Sequence, residues 1–584
     1  MKKKCNFNFV YLLAGSILCI LINSMGLNFL TPGEKVRDIV FENEKNVKDN
    51  IETLIRERKT IREMVKTAVA EYYPTYNPEE KIPFLYNNKQ IFIERNIING
   101  MRSYLLRTGI PDEGVLIPLE RMEPKRFNFN PSYFAYGGFY IYSEGLYLAI
   151  LKFIGILNIK KDIGYYLLNP SEIGKIFIAL RIVNILLSLG SFFLIFLIGY
   201  RLQGQLHGII SSLLFIFTPG IVIWNHFARP HVFSLFWILL AVYFLLKTLQ
   251  NKNWKNKDFV LGCIFTGLTV SILIPYGILI SLLIPLTIIL YKSKNNLSFT
   301  KNFLLSMLII TGVFLITNPY FLSSINEVVA EYKFTRMDVQ YRPSLYNYYY
   351  YLTTVLKMHL GTPLWILFLI CMAISLWKLK KEELLVISPV VIGFILFGTS
   401  YPNYLLRFIF FLPFITLIIG GSLAKIFRIK KVVPFSISIF AFCFLYTILY
   451  TLAHLQLFTT DNPRYIAGEW INKNIPEGTS IGLKEPPVAF RTTPFSFAKY
   501  KVTIIENKKE FEKNIPVYFV TSSFDWRFSR YGEIENYLSD NYEKLKIFVK
   551  SPSILNIEFI NNYEPIPPDY CYFNPIVIIW KANK

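Results

Sequence analysis

The sequence predicts a polytopic α-helical membrane protein that ends in an extracytoplasmic α/β domain. Three observations predict it. Hydrophobic residues make up 53% of the 584, more than a soluble domain needs. They gather in repeated runs of roughly 17–25 residues, long enough to cross a bilayer. From about Thr459 charged residues return, and short β-like runs alternate with helical ones.

The first run, Phe7–Leu30, is too long and too poorly followed by small residues for a cleaved signal peptide, so it predicts a retained helix. Ten further runs follow: Ile176–Tyr200, Gly208–Trp224, Val232–Leu246, Phe259–Ile274, Gly277–Tyr291, Phe303–Thr317, Pro363–Trp377, Leu384–Thr399, Phe408–Ala424 and Pro434–Ala453. Together they predict about eleven spans. The Ile274-Pro275-Tyr276 boundary is weak, a point where two short spans pivot. Cations gather in alternate short loops, at Lys2 to Lys4, Arg201, Lys247, Lys252, Lys255, Lys257, Lys292, Lys294, Lys301, Lys378, Lys380, Lys381, Lys425, Arg428, Lys430 and Lys431. This pattern puts the N-terminus in the cytoplasm and the C-terminus outside a plasma or inner membrane. The net charge of +22 is mostly such anchoring and calls for no nucleic acid. The six cysteines form no disulfide framework and no metal-ligand spacing.

Two domains follow: residues 1–458 in the membrane and 459–584 as the small external α/β domain. Residues 31–131 form a long external loop in the first. Within it, Val36, Val40, Val47, Ile51, Leu54, Ile61, Val65 and Ala68 recur at helical spacing. They predict one amphipathic helix over Glu34–Tyr73 that packs on the exported tail, lies on the membrane or pairs with another copy. The segment Tyr133–Leu157 is apolar enough to span, but spanning would invert the downstream charge pattern. It is expected to lie along the external face as a juxtamembrane helix, its tyrosines at the interface. In the tail, Thr479–Leu483, Val502–Glu506, Val517–Thr521, Leu545–Val549 and Ile576–Trp580 read as strands. DNPRYIAGEWINKNIPEG reads as a helix stopped at Ile475-Pro476.

Four constellations could carry chemistry. Asp112 and Glu113 form an acidic turn beside the membrane surface, where carboxylates tend to mark function. One of them could act as a general base on an acceptor hydroxyl or amine. The bland reading makes Asp112 the N-cap of a helix through Val115–Met122. In NHFARPHVF, Arg229 could bind phosphate and His226 or His231 could titrate; otherwise these polar residues simply end two helices. In SYPNYLLRFIFFLPF, Arg407 could neutralise a phosphate leaving group or snorkel to lipid headgroups, with Tyr401 beside it as a substrate-binding candidate. The loop Asn318–Thr362 carries Glu331, Lys333, Arg336, Arg342 and the run Tyr346–Tyr351. It suits a phosphate-sugar headgroup or a plain interfacial belt.

In succession, IPDEGVLIPLERM, FNFNPSYFAYGGFYIY, ALRIVNILLSLGSFFLIFLIGYRLQG, FTPGIVIWNHFARPHV and DNPRYIAGEWINKNIPEG resemble the GT-C superfamily of polyprenyl-phosphate-sugar-dependent glycosyltransferases. That group includes protein O-mannosyltransferases, aminoarabinose transferases and the oligosaccharyltransferase catalytic subunit. The resemblance spans about Gly109 to Gly478. It implies transfer of a sugar from a polyprenyl-phosphate carrier to an extracytoplasmic protein, lipid or envelope glycan, with inversion. It implies Asp112 as base, with Glu113 beside it, and Arg407 with Arg336 or Arg342 on the carrier phosphate. His231 stands where the superfamily often has a second acid. That departure speaks against a metal-bridged site, and it also fits a different acceptor or a family branch without the second acid; a divalent cation is allowed. The long insertion before Asp112 is a second departure. Membrane lipids are expected partners, and a homo-oligomer through residues 34–73 is allowed. Two other readings remain open: a lipid-linked glycan transporter or flippase, against which the nearly charge-free spans and lack of repeats speak, and a non-catalytic envelope scaffold.

Overall fold

Six helices among the described residues are long and apolar enough to cross a bilayer: Pro170–Gln203, Pro230–Gln250, Ile274–Tyr291, Phe299–Thr317, Leu406–Ile426 and Val433–Asn474. The number rises to eight if each of two bent pairs is one span. The structure, a computed structural model, describes residues 2–64, 77–251, 254, 256–292, 298–338, 340–341, 343–377, 379–528, 532–560 and 566–583.

The expected count of about eleven differs from this for a length reason. The helix Asn256–Ile272 has 17 residues and Leu384–Phe397 has 14. Lys2–Ser24 has only a short apolar part, Asn8–Ser24. At 1.5 Å per residue these fall below the ~30 Å hydrocarbon thickness. Both bends have local causes. Gln205–Phe217 meets Pro219–Asn225 at 53° where Pro219 opens the second helix. Leu345–Leu360 meets Thr362–Trp377 at 118° across Gly361, whose φ of 77° ends the first helix. The weak Ile274-Pro275-Tyr276 boundary is a real break, with one helix ending at Ile272 and the next starting at Ile274.

The chain divides into two units, each discontinuous in sequence. The first holds Met1–Leu27, Val115–Tyr147 and Leu180–Leu455. Buried polar side chains lock its turns. Arg181 Nη1 donates to Leu27 O at 2.6 Å, Asn184 Nδ2 to Phe227 O at 2.6 Å, and Asn225 Nδ2 to Asn23 Oδ1 at 2.7 Å. The two ring nitrogens of His226 sit 2.7 Å from Val222 O and Met25 O. These bonds fix Asn225–Pro230, the connection that holds Arg229.

The second unit holds Asn28–Gly114, Leu148–Ala179 and Gln456–Lys584. Its sheet has five strands: β1 (Ser480–Leu483), β2 (Lys501–Ile504), β3 (Tyr518–Ser522), β4 (Tyr542–Phe548) and β5 (Val577–Ala582). Their order is β2-β1-β3-β5-β4. β1 runs parallel to β2 and β3, while β5 is antiparallel to β3 and β4. Alternation fills both faces. Ile481, Val520 and Ile579 join one buried cluster with Ile471 of the helix Pro463–Asn474. Phe519 and Trp580 join another with Phe511 and Leu538.

The amphipathic segment from Glu34 is not one helix. It breaks into Glu34–Phe41, Glu44–Asp49 and Ile51–Met64. Glu42 takes a φ of 67°, and Asn43 caps the next helix by accepting from Asn46 N. Asn50 interrupts again: its side chain donates to Leu85 O at 2.7 Å and accepts from Leu85 N at 2.7 Å. Residues 65–73 of the expected helix lie outside the described residues. The apolar stripe is nonetheless used. Val36, Val40, Val47 and Leu54 are at most 3% exposed in the same cluster as Ile481 and Phe495, each worth about 1.5–3 kcal/mol. Leu85 belongs to a hairpin that pairs Lys81–Tyr86 with Lys89–Glu94.

Candidate functional site

In the first unit, three of the expected residues come together. Arg229 is 2% exposed, and its guanidinium lies 5.4 Å from the Trp224 ring centre. It acts electrostatically on His231, two residues along the chain, and so does Arg407 from a distant segment. Both guanidiniums also act on Tyr276. The His231 and Tyr276 rings meet edge to face at 5.7 Å. The Tyr276 hydroxyl donates to Leu406 O at 3.0 Å, which ties the Tyr276 helix to the turn bearing Arg407.

Arg407 is half-buried and aimed by two bonds from one nitrogen. Nη1 donates to Pro402 O at 2.6 Å and to the Tyr351 hydroxyl at 3.2 Å. Its plane lies 4.8 Å from the Tyr404 ring centre. Tyr351 is itself fully buried, stacked on Phe408 at 4.4 Å. The other nitrogen, Nη2, is buried and has no hydrogen-bond partner among the described residues; neither has His231 Nδ1. Two guanidiniums act here on one imidazole. Like charges gathered away from water cost free energy that an arriving anion would return. Guanidinium donors suit phosphate geometry. The arrangement can therefore hold a phosphate.

The other expected residues fall elsewhere. Tyr401 is 43% exposed, on a two-residue strand paired with Gln340–Tyr341. Arg336 lies in the helix Ile325–Asp338, its side chain beyond the described residues; Arg342 lies outside them altogether. Glu331 serves the backbone: its carboxylate accepts from Phe134 N at 2.5 Å. His226 is held on both sides by carbonyls, as described above.

Asp112 and Glu113 belong to the second unit. Asp112 is exposed and takes a φ of 64°, while Glu113 is 5% exposed. Only a few per cent of non-glycine residues adopt that left-handed backbone, aspartate among the more tolerant. The helix that follows is Leu116–Arg121, capped by Val115, so Asp112 is not its N-cap. The turn is held from behind by the buried Arg464. Its Nη2 donates to Gly109 O at 2.7 Å, while Gly109 N donates to Leu30 O at 2.8 Å. Strained positions of this kind cluster at functional sites.

A divalent cation does not fit at His231, since both charged groups acting on it are cations. Among the described residues no three His, Cys, Asp or Glu side chains gather in a possible metal set.

Sequence reading missed Tyr276, Arg464 and Glu144, and it had Tyr351 only as the end of the run Tyr346–Tyr351. Glu144, in the helix Gly138–Phe153, is 1% exposed, and neither carboxylate oxygen has a hydrogen-bond partner among the described residues. Its signal was a lone acid in an otherwise apolar helix.

No protein-family model matches the sequence, and no curated protein matches it. Solved structures do. One is the oligosaccharyltransferase of Archaeoglobus fulgidus in complex with Zn and sulfate, at 13% identity and TM-score 0.40, covering 72% of this chain. This chain spans 64% of that enzyme's length. Another is ArnT from Cupriavidus metallidurans bound to undecaprenyl phosphate, at 10% identity and TM-score 0.44, covering 98% of each chain. A third is the arabinofuranosyltransferase AftD from Mycobacteria, at 12% identity and TM-score 0.37, covering 83% of this chain and 41% of its own. Oligosaccharyltransferases and aminoarabinose transferases are among the enzymes that the sequence resemblance named.

Proposed function

We propose that the chain is an integral-membrane glycosyltransferase that moves a sugar from a polyprenyl-phosphate carrier to an extracytoplasmic acceptor. The observation that carries this reading is the pair of guanidiniums, Arg229 and Arg407, that act together on His231. A buried Arg229 and a half-buried Arg407, with Arg407 Nη2 and His231 Nδ1 open among the described residues, are suited to a phosphate that arrives attached to a membrane lipid.

In this reading Asp112 takes the proton of the acceptor hydroxyl or amine. The freed electron pair attacks the anomeric carbon from the face opposite the carrier. The bond from that carbon to the phosphate oxygen breaks, the configuration inverts, and the carrier phosphate leaves with the electron pair. Arg407, with Arg229, stabilises the charge that develops on that oxygen, a role worth about 10²–10³ in rate for one well-placed donor. Arg336 or Arg342 adds to the phosphate site, Tyr401 contacts the substrate, and Glu113 supports the turn. The N-terminus is cytoplasmic and the C-terminal α/β domain is extracytoplasmic.

The test is turnover in nanodisc-held protein, offered a panel of polyprenyl-phosphate sugars with release of free polyprenyl phosphate followed. Wild type should release it, and Asp112→Asn and Arg407→Ala should not. Equal release by wild type and Asp112→Asn would remove Asp112 as base. Undiminished release by Arg407→Ala would remove the phosphate assignment.

A further inference from the structure

In the first unit, the turn between the helices Leu116–Arg121 and Gly138–Phe153 carries side chains that the transfer reading leaves unused. The turn is tight. Glu123 N donates to Asn128 O at 2.8 Å, Asn128 N returns a bond to Glu123 O at 3.2 Å, and Phe127 N donates to Pro124 O at 3.1 Å. Lys125, Arg126 and Phe127 stand exposed at its tip. Phe127 is 85% exposed and takes a φ of 54°. Glycine or asparagine takes that left-handed backbone readily, whereas a large aromatic is an outlier there. A phenylalanine held in such a backbone, with its ring outside the fold, buries nothing against the described residues. Its ring is placed for something outside the chain.

The turn is tied to the end of an apolar helix, which fixes its depth. Phe129 N donates to the Tyr320 hydroxyl at 3.1 Å, Asn130 Nδ2 to Ser324 Oγ at 3.1 Å, and the Tyr142 hydroxyl to Phe129 O at 3.1 Å. Tyr320 stands three residues past the helix Phe299–Thr317. That helix has 19 residues, ~29 Å at 1.5 Å per residue, or one hydrocarbon thickness. Its exposed Leu304, Leu308, Leu315 and Ile316 suit it to face lipid. Thr317 therefore marks the edge of the hydrocarbon. Phe321 N then donates to Asn318 O at 3.0 Å, a turn that keeps the chain within ~7 Å of Asn318. This is the depth of the headgroup layer. Leu322 and Ile325, on either side of Ser324, are exposed there as well.

An apolar ring beside cations, at headgroup depth, matches an anionic bilayer surface. Apolar side chains bury there, and lysine and arginine are drawn to lipid phosphates. Glu123 takes part of the Arg126 charge at 3.3 Å, so Lys125 is the main draw for an anion. We propose that the Lys125–Phe127 turn is a membrane clamp. Phe127 inserts into the leaflet at the Thr317 end of the span, and Lys125 and Arg126 hold its anionic phospholipid headgroups. The clamp rests on the chain lying in a bilayer and not on the transfer reading.

The experiment uses the full chain in nanodiscs and needs no turnover. Cys5 is replaced by serine, the other five cysteines being buried, and a nitroxide is attached through Phe127→Cys. Discs hold one copy or two, in phosphatidylcholine alone or with phosphatidylglycerol added. Collision with oxygen, which partitions into lipid, is compared with collision with a nickel chelate, which stays in water. The nitroxide should meet oxygen far more than the chelate, and phosphatidylglycerol should raise its immersed fraction. Lys125→Gln should lower the ratio of immersed to free label about fivefold, the value of one cation near an anionic surface. A second label, through Phe129→Cys, keeps the test alive if the first distorts the tip, since Phe129 is anchored through its backbone; it too should be shielded from the chelate. The proposal fails if the chelate reaches both labels freely, or if phosphatidylglycerol and Lys125→Gln change nothing. Immersion confined to discs with two copies would overturn it in favour of a second copy of the chain.

Discussion

Arg464 in the second unit and Arg407 in the first put the same side chain to different use. Arg464 is 1% exposed and its donors are spent on backbone: Nη1 on Ala489 O and Phe490 O, Nη2 on Gly109 O and Tyr572 O, with Nε on Asn462 Oδ1. Arg407 gives one nitrogen to Pro402 O and Tyr351 and leaves Nη2 without an acceptor. Five acceptors drawn from several loops make the first a fastener. A held plane with an unused edge among the described residues suits the second to the phosphate of the proposed transfer. Burial alone does not separate a structural arginine from a functional one; the count of satisfied donors does.

The largest expected effect breaks the fastener. Arg464→Ala strands several buried carbonyls, and charged hydrogen bonds of ~1.5–3 kcal/mol each put the loss at about 3–5 kcal/mol. Limited proteolysis should cut the Gly109–Asp112 turn and the Ala489–Thr493 loop far faster. Arg464→Lys should recover little, because one ammonium cannot span these acceptors. Next, Arg407→Ala should leave thermal unfolding nearly unchanged while kcat/KM falls about 10²–10³-fold. If both arginine variants unfold alike, the contrast is void. Third, Glu144→Leu should stabilise the protein by about 1–3 kcal/mol, the penalty of an unsatisfied buried polar group, read as a raised Tm.

Glu144 also sharpens the comparison through pH. Burial holds its carboxyl well above the ordinary glutamate value. The folded state thus keeps a proton that the unfolded chain releases. Its contribution is fully present below the ordinary value and is lost as pH rises from there through the raised one. Glu144→Gln should flatten that part of the stability profile, measured as Tm against pH. The smallest effect on fold is expected at Asp112. Asparagine tolerates the left-handed backbone almost as glycine does, so Asp112→Asn and Asp112→Gly should stay within about 1 kcal/mol of wild type.

Apolar runs and turn chemistry made much of this legible. The helices around Phe303–Thr317 and Pro434–Ala453, the five tail strands and the stop at Ile475-Pro476 follow from local pattern. The hairpin over Lys81–Glu94 was missed despite a clear signal. Ile82, Phe84 and Tyr86 alternate before Asn87-Asn88, and both asparagines take positive φ, as a tight hairpin turn requires. The continuous helix from Glu34 failed because its breaks are tertiary: Asn50 answers to Leu85, and no periodicity encodes that. At the candidate site, Arg229 and His231 stood out as charges in an apolar setting. Tyr276 did not, and Tyr351 stood only as one of a run, since a tyrosine among many acquires meaning only when folding brings it to Arg407.

The second unit draws its core from both ends of the chain. Val36, Val40 and Leu54 are buried with Ile82, Phe84 and Ile98 from nearby in the chain and with Ile481, Phe495 and Ile579 from its far end, so their cover is complete only when the last strands are made. At roughly 5–20 residues per second, that delay is about 25–105 s of synthesis. Throughout it an apolar stripe waits for its partners. A chain stopped before Gln456 would leave that stripe short of half its partners, which makes truncation at the far end a lesion of the N-terminal helices.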